Sequence, residues 1–142
     1  MPEDATGPAA RRSRTQAVAP IAIAVGVVGV FCTWTNDGPV SLNGIQGPND
    51  GWLVVIVAVP ALFFARSLAK GTWVGVVGAL GSAAVMGWTA VASWRDNRDV
   101  VGASVGYGLL LVLGASLALA AAGVARGLEL LHARGATREP SA

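Results

Sequence analysis

The chain has 142 residues, of which 54% are hydrophobic and 13% charged, and its mean hydropathy is +0.59. Four long apolar runs with charges confined to the gaps between them exclude an ordinary soluble domain. The net charge of +2 comes from arginines that flank the apolar runs. They form no basic stripe with interleaved aromatics, so nucleic acid is not an expected partner.

The amino-terminal segment is polar through Gln16 and contains too few apolar residues to form a core. We predict a disordered cytoplasmic tail over residues 1–16. A first span follows at about 17–35, with Pro20 in its first turn, where the missing N–H costs little. No small-x-small cleavage site follows the run and three more apolar runs do, so it is not a signal peptide.

The segment Asn36–Asp50 is rich in Asn, Gly and Pro and contains no Lys or Arg. Its two Asn-Asp-Gly triplets are typical of turns, so we predict a turn-rich loop between spans. A calcium site using Asp37 and Asp50 is an alternative, but the spacing matches no EF-hand loop. Another alternative is that this loop binds a ligand on the outer face of the membrane.

The second run needs residues 51–69 to reach spanning length, and it includes Arg66 near its end. An arginine at that position can extend its charge to the interface. Pro60 removes a backbone hydrogen bond in mid-span and should kink the helix. The alternative, a re-entrant segment, would place the carboxyl-terminal arginines outside, against the positive-inside tendency.

The third run, Thr72–Trp94, holds 23 residues with no charge and no proline. As a helix it is about 34 Å long, enough to cross a hydrocarbon core of about 30 Å. Mostly small residues recur along one side at helical spacing: Gly71, Gly75, Gly78, Ser82, Met86, Thr89 and Ser93. Small residues allow helices to approach closely in lipid, so we predict a packing seam; a polar lane for a solute is the alternative.

The fourth run, Val100–Ala125, predicts a span of about 100–125. A cytoplasmic tail is predicted over 127–142, and the helix is expected to continue into it through about Leu131. Small residues at four-residue spacing extend the predicted seam to this helix: Gly102, Gly106, Gly114 and Ala118.

Eight Lys and Arg residues lie on the side of the two tails and the middle turn, and two lie on the other side. The positive-inside rule therefore predicts cytoplasmic termini in the plasma membrane. Trp34, Trp52 and Trp94 would then mark the outer interface and Trp73 the inner one. The predicted fold is an all-α membrane protein, a four-helix transmembrane bundle.

No span contains an ionisable residue apart from Arg66 at an edge, although membrane enzymes and ion-coupled carriers usually carry one. His132 and Cys32 are predicted on opposite sides of the membrane, which excludes a Cys/His nucleophilic pair within one chain. We therefore expect no catalytic residue, cofactor or metal site. Cys32 is interpreted as a small apolar residue, with an intermolecular disulfide as the alternative.

The plan resembles small four-span membrane proteins of high-GC actinobacteria, through a first span ending in Trp34, the sequence NDGW at Asn49–Trp52 and a Gly-rich third span. This resemblance implies the fold and no function. In size the chain is similar to small multidrug transporters, which carry a glutamate in the first span; Ala17–Trp34 has none. Fluoride-channel proteins also have four spans, but their charge bias is weak.

These observations favour a non-enzymatic accessory or interaction subunit, whose partners are the lipid bilayer and another membrane protein or a second copy. The alternative is a small oligomeric channel or carrier for a neutral solute. Its predicted lining is Ser82, Thr89, Ser93 and Ser104.

Overall fold

A computed structural model describes the backbone of residues 8–37, 39–46, 50–98 and 104–136, and the side chains of these ranges except at 8–16, 37 and 136. Within them the chain forms four helices and three short strands. The helices are α1 (Pro8–Phe31), α2 (Trp52–Ala69), α3 (Trp73–Arg98) and α4 (Tyr107–Ala136). The strands are β1 (Thr33–Asp37), β2 (Val40–Asn43) and β3 (Ser104–Val105).

Three helices, α2, α3 and α4, are long and apolar enough to cross a membrane. This confirms the prediction of a mostly helical chain with long apolar helices. The apolar part of α1, Ala17–Phe31, is shorter. At 1.5 Å per residue it extends about 22 Å, although the whole helix extends about 36 Å.

Helix α1 differs from the prediction at its start. It begins at Pro8, so residues 8–16 are helical where the sequence predicts a disordered tail. Alanine, arginine and glutamine favour helix even where no core is available to bury them. Pro20 consequently lies inside the helix rather than in its first turn, and it removes one backbone hydrogen bond there.

The ends of α4 also differ from the prediction. The helix begins at Tyr107, because residues 104–105 form a strand, and it continues to Ala136. The predicted tail over 127–142 is therefore helical through residue 136. Residues 100–103 of the predicted span, including Gly102, lie outside the described ranges.

The tight turn between α2 and α3 is closed by local hydrogen bonds. Gly71 has a φ of +72°, a conformation that favours glycine, and its N–H donates to the carbonyl of Leu68. Thr72 then caps α3, since its hydroxyl oxygen accepts a 3.2 Å hydrogen bond from the N–H of Gly75. The same hydroxyl donates to the carbonyl of Ser67 at 3.0 Å. We call this end of the molecule the turn end.

The four helices pack as antiparallel neighbours: α1 against α2 and α4, and α3 against α2 and α4. Along α3 and α4 the contacts run in opposite directions. Near the turn end Gly127 faces Val76, and further along Gly123 faces Leu80 and Ser116 faces Gly87. The chain thus passes up and down around a common core.

The strands form a small antiparallel sheet in the order β2-β1-β3, which the sequence analysis did not predict. Thr35 pairs with Leu42 on one side and with Val105 on the other. The connection between α1 and α2 is thereby joined to the connection between α3 and α4. We call this the sheet end.

Small side chains lie inside the bundle and large apolar ones outside, which is the reverse of the arrangement in a water-soluble helical bundle. Half of the twenty buried hydrophobic residues in the described ranges are alanines. Large apolar side chains lie outside, among them Val59 (73% exposed), Trp88 (70%) and Leu117 (65%). Small interiors let helix backbones approach closely, and a surface of this kind is solvated by hydrocarbon rather than by water.

Candidate functional site

The first part of the predicted seam packs α3 against α2. A Cβ at Gly75 would lie 2.5 Å from the Cα of Leu68 and closer still to its backbone nitrogen. A Cβ at Gly78 would meet the ring of Phe64, with the Cδ2 atom 2.6 Å away. At both positions the absence of a side chain permits the approach of the two helices.

The middle of the seam lies on the core side of α3, where Ser82, Met86, Thr89 and Ser93 are all buried. The methyl of Met86 occupies the space in which a Cβ of Gly26 would lie, so this face also contacts α1. Thr89 donates its hydroxyl to the carbonyl of Val85, at 2.9 Å on its own helix. That hydroxyl is therefore hydrogen-bonded to the backbone of its own helix and does not face an open path for a solute.

Ser104 does not join those hydroxyls. It lies in β3 at the sheet end and is exposed, whereas Ser82 is buried well along α3. The described residues therefore do not bring together the four side chains proposed as the lining of a solute path.

The remaining seam residues have different surroundings. Gly71 lies in the turn before α3, where a Cβ would contact the guanidinium of Arg126 on α4. Gly106 precedes α4 and packs against the backbone of β1, where an added Cβ would lie 3.0 Å from the carbonyl carbon of Trp34. Ala118 packs at the edge of the core. Gly102 lies outside the described residues.

Gly114 is a seam residue against which nothing packs in the part of the chain that the structure describes. It is exposed, and no atom lies within 4 Å of the position that its Cβ would occupy. Gly81 on α3 has the same surroundings. A four-residue spacing identifies a helix face, but in lipid it does not say whether that face points inward, because both faces are apolar.

Trp34 organises the sheet end, a role that the sequence did not reveal. It was predicted at the outer interface, but it is fully buried and its indole N–H donates to the carbonyl of Gly29 at 2.9 Å. Gly44 covers the ring, since a Cβ there would lie 2.6 Å from it. The carbonyl of Trp34 accepts a 2.7 Å hydrogen bond from the N–H of Gly106. The other two residues predicted beside it, Trp52 and Trp94, are exposed.

Charged side chains gather at the turn end. Arg126 forms an ion pair with Glu129 one turn along α4. Arg134 places its guanidinium carbon 5.3 Å from the centre of the Trp73 ring, a cation–π contact between α4 and α3. Arg66 and Lys70, at the end of α2, are exposed.

The grooves on the outside of the helices include two that are lined by described residues. The larger, of about 500 Å³, lies between α1 and α2 and is lined by Pro20, Val59, Leu62, Phe63, Arg66 and Ala69. The smaller, of about 270 Å³, is apolar and lies among α3, β3 and α4, with Trp94 and Leu110 in its wall. The larger groove contains a charged side chain, and the smaller does not.

No three His, Cys, Asp or Glu side chains come together as a metal site in the part of the chain that the structure describes. Cys32 is a free thiol, half-buried after α1, and His132 lies on α4 beyond the ion pair. Comparisons with protein-family models, with curated proteins and with solved structures find no match to this chain. The chemistry of the molecule therefore has to be argued from its own surfaces.

Proposed function

We propose that the chain is an integral protein of the plasma membrane that crosses it four times, with both termini in the cytoplasm, and acts there as a non-enzymatic interaction subunit. The observation that carries this proposal is the inverted distribution of side-chain size, with alanines inside and large apolar residues outside. Water would drive those large side chains inward, whereas lipid exerts no such drive.

The packing of α1 supports a fourth crossing despite its shorter apolar part. Gly29 lies against Gly108 and Leu111 of α4, and Gly26 lies against Ala115. Nearer the turn end, Ala19 and Ile23 are buried in the same core. A helix that packs along α4 over several turns shares its depth in the bilayer.

The charge distribution supports the orientation. Arg66, Lys70, Arg126 and Arg134 all belong to the turn end, and Arg95 and Arg98 belong to the sheet end. With the three arginines at the start of α1, the turn end carries the positive excess expected of the cytoplasmic side. Exposed tryptophans on α2 and α3 near the sheet end fit the outer interface.

The interaction role is supported by the outward glycines on α3 and α4. Gly81 and Gly114 are exposed with open space around them, so packing within the described part of the chain does not use them. Leu110 and Leu117, both exposed, flank Gly114 on the same helix. A glycine between two large side chains forms a notch in which another helix can approach closely.

Topology is tested with single cysteines in a Cys32→Ser background. A cysteine at Ser41, exposed in β2, should react with a membrane-impermeant maleimide in intact cells. Cysteines at Ser13 and at His132 should react only after permeabilisation. Reaction at both Ser13 and Ser41 in intact cells would mean that α1 does not cross, and the four-span topology would be wrong. Reaction at Ser13 without reaction at Ser41 would mean that the orientation is inverted.

The interaction role is tested by purifying a tagged chain from gently solubilised membranes and measuring what co-purifies. We expect a partner or a second copy, lost by about tenfold or more in Gly81→Leu or Gly114→Leu. Gly135→Leu is the matched control, because Gly135 also has nothing within 4 Å but lies beyond the apolar part of α4. Recovery of the wild-type chain alone and monomeric would refute the role and lead to a test of solute flux in liposomes.

A further inference from the structure

We infer that the groove between α1 and α2 binds an anionic phospholipid, with an acyl chain along its apolar wall and the phosphate at Arg66. The inference rests on the membrane location proposed above. It adds a ligand of stated chemistry and a site that is separate from the outward glycines.

The shape of the groove suits an elongated apolar ligand. Its lining on α2 runs from Val59 to Ala69, a rise of about 15 Å along the helix, and its volume of about 500 Å³ lies in the range of small-molecule sites. Val59, Leu62 and Phe63 line it and are all exposed. In a membrane these side chains face hydrocarbon, so an acyl chain is what surrounds them.

Local packing explains why the groove is open here. The contact between α1 and α2 is the least extensive of the four helix pairs. Phe64 turns toward α3, where it meets Gly78, while the adjacent Phe63 remains outside with its ring at 71° to that of Phe64. One of the two adjacent phenyl rings of α2 therefore packs against α3, and the other lines the groove. The space between α2 and Pro20 of α1 is left unfilled.

The positive charge in the groove determines which class of lipid it binds. Arg66 is the charged residue among those that line the groove, it is exposed, and the ion pair seen in the described residues joins Arg126 and Glu129 instead. It lies toward the turn end, the proposed cytoplasmic side, where the leaflet is rich in anionic lipid. A guanidinium binds a phosphate through two parallel hydrogen bonds, and basic pockets between spans on this side suit such headgroups.

Lys70 provides a matched control. It is also exposed and positive, and it lies one turn beyond Arg66 at the same end, but it does not line the groove. Arg66→Gln and Lys70→Gln therefore remove the same charge at nearly the same depth. If lipid is merely attracted to a positive surface, the two substitutions will have equal effects.

The experiment is native mass spectrometry of the purified full chain, titrated with phosphatidylglycerol and with phosphatidylethanolamine of the same acyl chains. We expect one tightly bound phosphatidylglycerol per chain, weaker binding of phosphatidylethanolamine, and no binding of glycerol phosphate, which lacks the chains. Arg66→Gln should weaken phosphatidylglycerol binding by roughly fivefold or more, and Lys70→Gln by less than about twofold. Arg66→Lys keeps the charge but not the two parallel hydrogen bonds, so it should restore only part of the binding, which separates loss of charge from loss of fold.

Equal binding of the two lipids, equal effects of the two Gln variants, or binding of glycerol phosphate alone would overturn the inference. So would a second copy of the chain cross-linked through Phe63, because the groove would then be an interface between proteins. The maleimide topology assay, performed on Arg66→Gln, separates this site from the proposed function. Normal topology with no selective lipid binding would refute the site alone.

Discussion

Replacing Gly75 with alanine tests whether close backbone approach holds α2 and α3 together. The new Cβ would lie 2.5 Å from the Cα of Leu68 and closer to its nitrogen, and neither atom can rotate away as the end of a side chain can. An ordinary contact needs 3.4 Å or more, so the two helices must separate locally by about 1 Å. Neighbouring contacts in a densely packed interior are lost as they do so.

The magnitude follows from comparison with Gly81, which is on the same helix and has nothing within 4 Å. Overpacking at Gly75 should cost about 1–3 kcal/mol or somewhat more. Alanine at Gly81 has no such cost and should gain up to about 1 kcal/mol from its higher helix propensity. Because the same propensity gain applies to Gly75 on this helix, the two variants should differ in stability by the overpacking cost, about 1–3 kcal/mol, with Gly78→Ala between them because the Phe64 ring can shift.

The assay is thermal unfolding of the purified variants in one detergent, monitored as the loss of the monodisperse species. A difference of about 2 kcal/mol corresponds to roughly 4–8 °C for a chain of this size. We expect the order Gly75→Ala, then Gly78→Ala, then Gly81→Ala, from least to most stable. Equal melting temperatures for Gly75→Ala and Gly81→Ala would refute the argument that this part of the seam is a backbone contact.

Three further predictions concern positions where one interaction dominates. Trp34→Phe should lower stability by about 1–3 kcal/mol, because it removes the buried hydrogen bond from the indole to the carbonyl of Gly29 and leaves a cavity where the larger ring was. That carbonyl keeps only the 3.2 Å hydrogen bond from the N–H of Cys32. Trp88→Phe, on the exposed face, should leave the melting temperature unchanged. Gly71→Ala should cost at least about 1–2 kcal/mol in the same assay, since φ at that position is +72° and Arg126 occupies the space beside it. Thr89→Val should change stability by less than about 1 kcal/mol, because the hydroxyl is hydrogen-bonded only to its own helix. Insertion and any neutral-solute flux in liposomes should also remain intact. Loss of flux would favour the solute-path alternative.

The bounds of α2 and the start of α3 were predictable because they depend on local signals, whereas α3 continues to Arg98, beyond the predicted end at Trp94. Charge-free runs give the lengths, and the turn around Gly71 contains the glycine that its positive φ requires. The buried face of α3 from Gly75 to Ser93 also follows from the sequence, since helical spacing places those residues on one side.

The sheet end was not predictable in the same way. The partners of Trp34 are Gly44 and Gly106, far apart in the sequence, and no local pattern relates a tryptophan to glycines at those distances. A tryptophan at the end of an apolar run is typical of a membrane interface, and that local interpretation was wrong here. The strands are short and polar, and β3 has only two residues, so pairing rather than propensity defines them.

The two ends of the molecule restrain the helices unequally, and this asymmetry determines where a ligand can act. At the sheet end, β1 pairs with β2 and β3, and Trp34 joins α1 to the start of α4, so all four helices are linked. At the turn end, only α2 and α3 are connected by the chain. The groove lies between α1 and α2 toward that end, where no turn or strand of the described chain joins the pair. A lipid bound at Arg66 would fill the least extensive helix contact, so it should raise the melting temperature of the wild-type chain more than that of Arg66→Gln.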